Sequence, residues 1–336
     1  MRVADLPTPA LVVDGAAFAH NLDMMAAALA GPRLRPHVKA HKCTAIAREQ
    51  AARGHLNFTC ATPREVVGMA GAGLGEDLLL ANQTVDEARL RAMAECGARV
   101  TVAVDSDATV DAAAVNGIRE VLVDVNVGMP RCGCAPDDAG RIAGRARDAG
   151  LSVRGVMGYE GHVVGLEDRK ERVEKTEVAM AKLLAAHADV GGDIISAGGT
   201  GTYDINAAAT EIQAGSYALM DAAYSELGLP FVPALAIVAT VIHAGEQWAV
   251  ADCGLKAHSM DHGNPAIDDG TVWFCSDEHV TFAPNTTVRV GERVVVWPAH
   301  VDPTVAMHER MHVAAGPGLA AQIVDQWAVD VRGWNV

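Results

Sequence analysis

The feature that most constrains this chain is a regular alternation of short extended runs and helical segments between residues 35 and 220. Extended runs are expected at residues 35–40, 57–61, 77–82, 100–105, 121–126, 153–159, 194–198 and 211–220. Helical composition fills the gaps at 45–53, 63–71, 85–96, 108–115, 136–149 and 166–187, with a shorter piece near 206–210. Neighbouring parallel strands need a crossover, usually a helix. Eight such units predict a (β/α)8 TIM-type barrel with its reactive groups at the C-terminal strand ends. An open doubly wound sheet is the alternative. After Pro230 the texture changes to short β-like runs at 235–243, 248–251, 271–275, 288–290 and 293–297, with a helical tail at 318–329. The expected division is therefore 16–231 for the barrel and 232–336, joined by a strand within 1–15, for a mainly antiparallel β domain.

Charge narrows the function. A net charge of −15 without a basic run argues against nucleic acid, whose phosphates are bound by clustered Lys and Arg. No charged-then-apolar leader is visible, and no apolar run is long enough to span a bilayer, so a cytoplasmic protein away from membranes is expected. The seven cysteines are an odd, scattered set that suits reduced thiols rather than a disulfide framework. Small-molecule chemistry remains.

Lys39 closes the first extended run, Arg35-Pro36-His37-Val38-Lys39. Alternation places Arg35, His37 and Lys39 on one face, and a partly desolvated lysine at a strand end suits Schiff-base chemistry. A lysine that merely pairs with a carboxylate is the plain alternative; Lys42, past the strand, is a decoy. Gly199, Thr200 and Gly201 follow the seventh run, where converging amides and hydroxyls can cradle a phosphate. Ser216 and Tyr217 could add donors from the eighth. An ordinary flexible loop would read the same way. His300 and Asp302 stand two apart, so in an extended chain both would face one cation. Manganese suits the pair, with magnesium or zinc also possible, and a polar loop held by prolines is the alternative. Arg131 and the Tyr159-Glu160-Gly161-His162 stretch follow the fifth and sixth runs, where the arginine can meet an anionic oxygen and the histidine can shuttle a proton.

In this order the features resemble the D-threonine aldolase and D-serine dehydratase-like family of pyridoxal-phosphate enzymes, which have an alanine-racemase-like barrel. The likeness runs from Thr8-Pro9-Ala10 through Pro36-His37-Val38-Lys39, residues 128–133, 158–162, 199–202, 214–217 and 252–256 to residues 300–304. Pro130 departs from the pattern, which carries Asn before the arginine. The resemblance implies that Lys39 carries pyridoxal 5'-phosphate, that Gly199, Thr200, Gly201, Ser216 and Tyr217 hold its phosphate, and that Arg131, Tyr159 and His162 sit near its ring. It implies His300 and Asp302 as the metal pair. Dehydratase-type members tend to carry His and Cys with zinc, so the carboxylate of Asp302 points to an aldolase with a harder ion. The implied reaction is retro-aldol cleavage of a D-β-hydroxy-α-amino acid, with Lys39 and His162 as its catalytic groups, a metal-bound water as the alternative base, and a homodimer as its assembly. Dehydration of D-serine or 3-hydroxyaspartate is the competing reaction. A non-catalytic pyridoxal-phosphate carrier is the competing class.

Overall fold

The computed structural model describes residues 1–335, in which strand β1 (Ala10–Asp14) is followed by helix α1 (Gly15–Ala28). Seven of the expected runs become parallel strands: β2 (Asn57–Cys60), β3 (Asp77–Leu80), β4 (Val100–Val104), β5 (Glu120–Asp124), β6 (Ser152–Met157), β7 (Ile194–Ala197) and β8 (Glu211–Ile212). They hydrogen-bond in chain order. Helices α2 (Thr44–Ala52), α3 (Pro63–Gly71), α4 (Glu87–Ala94), α5 (Asp107–Val115), α6 (Ala139–Asp148) and α7 (Arg169–Val190) alternate with them. Several helix starts are written in the local sequence: Thr62, Asp86, Ser106 and Asp168 each accept the amide three residues on.

The segment at 35–40 is not a strand along its length. The Arg35 and His37 amides donate to the Ile212 and Ala214 carbonyls at 2.9 and 3.0 Å, and the Thr59 amide donates to the Pro36 carbonyl at 2.9 Å. Parallel bridges Leu34–Ile212 and His37–Thr59 thus fill the gap between β8 and β2 and close the eightfold barrel. Pro36 has no N–H to give a regular ladder. Beyond it, Val38–Ala40 winds into a 3-10 turn, so strand alternation does not set the direction of the Lys39 side chain. The eighth strand is shorter than expected for a similar reason, since Ser216–Ala218 also turns. Residues 206–210 form no helix.

Leu79, Ala103, Leu122 and Met157 form one buried cluster of the barrel. At the N-terminal strand ends lies a charged floor. Arg35 is buried and donates from Nε to Glu211 Oε1 at 2.8 Å and from Nη1 to Asp77 Oδ1 at 3.2 Å. Arg154 adds a bond from Nη2 to Asp77 Oδ2 at 2.6 Å. Burial pushes the Asp77 carboxyl up, but the Arg154 hydrogen bond and the Arg35 charge overcome it and hold its pKa below the ordinary value.

Contacts divide the chain into two compact units. The barrel unit holds Met25–Lys39, Ile46–Gly215 and the tail from Val331; the other holds Met1–Met24, Ala40–Ala45 and Ser216–Asp330. The second unit contains helix α8 (Ala222–Ser225), strands β9 (Leu235–Ala244), β10 (Ala249–Ala251), β11 (Ala266–Ile267), β12 (Gly270–Cys275), β13 (Val280–Pro284) and β14 (Arg293–Trp297), helix α9 (Val301–Met307), and strands β15 (Arg310–Ala314) and β16 (Ile323–Ala328). Its sheet runs β12-β13-β10-β9-β1-β15-β16, with β14 on β9 and β11 on β14. Pairing is antiparallel except for β1 beside β15. Two expectations are corrected here. The tail expected as a helix carries β16, because the open edge of β15 satisfies its backbone and Trp327 packs on Phe18 with ring centroids 5.2 Å apart. Residues 288–290 lie in a loop. Among the described residues no helix is long and apolar enough to cross a membrane.

Removing Arg35 takes the cation from the buried Glu211 carboxylate and leaves Asp77 to Arg154 and Arg99. Arg35→Ala is expected to cost about 3–5 kcal/mol in urea unfolding. Because the folded pKa of Asp77 is depressed, its stabilisation is present above the ordinary carboxylate pKa and is lost as pH falls through the folded value. The stability difference between wild type and Asp77→Asn should therefore shrink on acidification.

Candidate active site

Every candidate group of the barrel unit follows the C-terminal end of a strand or of the closing segment. Lys39 sits in the 3-10 turn just after the His37–Thr59 bridge, and its own amide donates to His37 Nδ1 at 3.4 Å. That imidazole thus braces the lysine backbone. Arg131 lies in the loop after β5 with its guanidinium carbon 5.4 Å from the centroid of the Tyr159 ring, a cation–π arrangement. His162 packs on Gly128: a Cβ there would come within 2.9 Å of the imidazole Nε2, and its φ of 141° is one that glycine adopts without strain.

After β7 the chain enters Gly199-Thr200-Gly201, whose residues 200–202 form a 3-10 turn. A Cβ on Gly201 would fall 1.8 Å from the Val164 carbonyl oxygen, so glycine is required for this close approach. Glu160 anchors the turn. Its fully buried carboxylate accepts the Thr202 hydroxyl at 2.9 Å, the Asn206 amide at 3.2 Å and the Gly198 amide at 3.2 Å. Its partners stand 38 to 46 residues further on, so nothing local in the sequence identifies the role.

Asp124 ends β5 and is buried. Burial pushes its carboxyl up to about 6, although the Gln83 side chain donates to it at 2.7 Å. Thr59 Oγ1, on the strand that His37 bridges, is buried without a hydrogen-bond partner.

In the second unit, His300 precedes α9 with extended backbone and Asp302 lies in its first turn. The pair is not the extended run expected from sequence. The residues still meet: His300 Nε2 is 3.9 Å from Asp302 Oδ2. The Ser216 hydroxyl donates to Asp302 Oδ1 at 3.3 Å, which ties this residue to the His–Asp pair. Tyr217 is buried with its ring centroid 5.7 Å from that of Phe231. Two residues missed from sequence complete the cluster. Asp261 Oδ2 is 2.7 Å from His300 Nδ1, and the His262 ring stacks on His300 with centroids 3.9 Å apart and planes within 2°. Asp261, His262 and His300 offer ligand atoms within 4.8 Å of one another. Only the Asp-His dipeptide itself could have drawn attention to them.

Residues 13–222 match the domain described as alanine racemase, N-terminal domain, and residues 234–314 match the putative serine dehydratase domain. The D-threonine aldolase of an Arthrobacter species is 34% identical, over 99% of this chain and 94% of that protein. The 3-hydroxy-D-aspartate aldolase of Paracoccus denitrificans is 31% identical with the same coverage. Among solved structures, the D-threonine aldolase of Filomicrobium marinum superposes with a TM-score of 0.91 at 32% identity, covering 98% of this chain and 96% of that one.

The raised Asp124 pKa predicts a pH-dependent cost. Its contribution favours the fold below the ordinary carboxylate pKa and is lost as pH rises through about 6. Asp124→Asn, which keeps an acceptor for Gln83, should raise the apo-protein melting midpoint over wild type by more at pH 7.5 than at pH 5. Glu160→Ala takes the shared acceptor from three buried donors and should cost about 1–3 kcal/mol by chemical unfolding.

Proposed function

The chain belongs to the alanine racemase N-terminal domain family, and from that membership we propose that it cleaves D-β-hydroxy-α-amino acids such as D-threonine to glycine and an aldehyde. The observation that carries this reading is the His300–Asp302 pair, in a chain similar over nearly its whole length to D-threonine aldolases. The serine dehydratase domain match keeps dehydration as the competing outcome.

The family implies pyridoxal phosphate, and the donor set of the barrel unit suits it. One amine follows the closing segment, a glycine turn follows β7, a guanidinium lies over a tyrosine, and a buried hydroxyl on Thr59 lacks a partner. When bound, that cofactor supplies an electron sink for the pair released as the Cα–Cβ bond breaks. Lys39 Nζ would hold it and yield to the substrate amine. The amides of Gly199 and Gly201 and the Thr200 hydroxyl would take the phosphate, with Ser216 and Tyr217 completing that group through their backbone. Arg131 offers a planar cation to an anionic oxygen, and Tyr159 supports it from below.

The imidazole and carboxylate of His300 and Asp302 also suit a divalent ion. Donor atoms about 2.0–2.2 Å from one ion lie at most about 4.4 Å apart, and these are separated by 3.9 Å. A hard carboxylate beside an imidazole favours Mn²⁺ over Zn²⁺ in this reading. Such an ion lowers the pKa of a hydroxyl that it touches. His162 is the protein group assigned to take the β-hydroxyl proton. The reading includes a homodimer, which the family resemblance supports, and a reducing, cytoplasmic setting, which the odd, scattered set of seven cysteines supports.

Incubation with pyridoxal phosphate, Mn²⁺ and D-threonine should yield glycine and acetaldehyde. Ammonia and a keto acid instead would overturn the aldolase reading. Lys39→Ala should lower turnover on the order of 10³-fold or more and abolish the cofactor's visible absorbance band. A band that persists in this variant would remove Lys39 from its assigned role.

A further inference from the structure

We propose that Asp261 is a positioning residue for His300, fixing which imidazole nitrogen faces a divalent ion. The proposal rests on the reading of His300 and Asp302 as the metal pair and extends it to residues outside that pair.

The two nitrogens of His300 have different surroundings. Nδ1 lies 2.7 Å from Asp261 Oδ2, a hydrogen-bond distance to a carboxylate, which can only accept. The proton therefore sits on Nδ1. The neutral ring then presents its lone pair at Nε2, the nitrogen that faces Asp302 Oδ2 at 3.9 Å. A carboxylate that takes one imidazole N–H sets the tautomer and ring direction of a metal-ligating histidine and raises its basicity.

Asp261 is itself held in place by a closed circuit of hydrogen bonds. The Ser259 hydroxyl donates to Asp261 Oδ1 at 2.5 Å, while the Ser259 amide donates to Thr304 Oγ1 at 3.1 Å. The Thr304 hydroxyl in turn donates to the His300 carbonyl at 2.7 Å. Loop 259–261 thus grips His300 at both its ring and its backbone. His262, stacked flat on the same ring, fixes the plane about which the ring could otherwise turn.

The competing assignment makes Asp261 a ligand in its own right, since its carboxylate, His262 and His300 cluster closely enough for one ion. The 2.7 Å contact argues against it, because an oxygen sharing a proton with Nδ1 is already committed to that hydrogen bond. The two assignments differ in how much affinity Asp261 carries.

The test is a Mn²⁺ titration of the full-length apo-protein, with free Mn²⁺ followed by electron paramagnetic resonance. Asp261→Ala should weaken Mn²⁺ binding by about 10–100-fold. Asp261→Asn, which keeps an acceptor oxygen without its charge, should fall between Asp261→Ala and wild type. His300→Ala should lose binding altogether. Equal affinity in both Asp261 variants and wild type would overturn the proposal. So would a loss in Asp261→Asn as complete as in His300→Ala, which would make Asp261 a ligand. Melting midpoints of both variants identify a folding failure, and Asp261→Asn, the milder change, then carries the decision. A wild-type protein that binds no Mn²⁺, Mg²⁺ or Zn²⁺ would instead overturn the metal reading from which the proposal starts.

Discussion

The buried guanidinium of Arg35 is the constraint on which the barrel depends. An unpaired charge in an apolar interior is prohibitive, and a paired one is tolerated only when its donors are matched. Arg35 meets that condition through Glu211, Asp77 and the carbonyl of Asp77, residues that open β8 and β3. Its partners cannot be satisfied unless the first segment lies between the eighth and second strands. One side chain thereby specifies barrel closure where Pro36 prevents a regular ladder. Lys39 stands only two positions beyond the closing bridge at His37. Lys39, the amine proposed to react, takes its place from the same short segment that anchors the floor.

A second theme recurs in both units: polar side chains hold the groups that would touch ligands. Glu160 stitches the glycine turn to residues that follow it, leaving the amides of that turn in a defined arrangement. Ser216 and Asp261 serve Asp302 and His300 in the same way, each binding the atom turned away from its counterpart. Around Glu160, which is fully buried, such supporting bonds are costly to leave half made. Asp124 behaves otherwise. With one side-chain donor and much burial it is pushed toward neutrality, a carboxyl that can exchange a proton near pH 6.

Much of the architecture was legible because its signals are local. Thr62-Pro63, Asp86, Ser106 and Asp168 mark helix starts within three residues, and helix α3 has the same limits in the sequence reading and the structure. Lys39, the glycine turn and the His300–Asp302 pair stand out in the sequence as candidates, but the backbone expected around two of them differs from the structure. Extended alternation was applied to Lys39 and Asp302, and both lie in helical turns. The tail at 323–328 failed in the opposite direction, its helical composition yielding to a partner edge on β15.

By itself the sequence determined the βα alternation, the parallel sheet, the change of texture after Pro230 and the residue types able to carry amine, phosphate and metal chemistry. Those properties depend on periodicity, capping and side-chain identity, which act over a few residues. Only the tertiary structure decided that Arg35 closes the barrel, that Glu160 anchors the glycine turn, and that Asp261 stands 39 residues from the histidine it orients. The reason is physical. A buried charge or an imidazole tautomer is set by whichever groups the fold brings within about 3 Å, and separation along the chain carries no information about that distance.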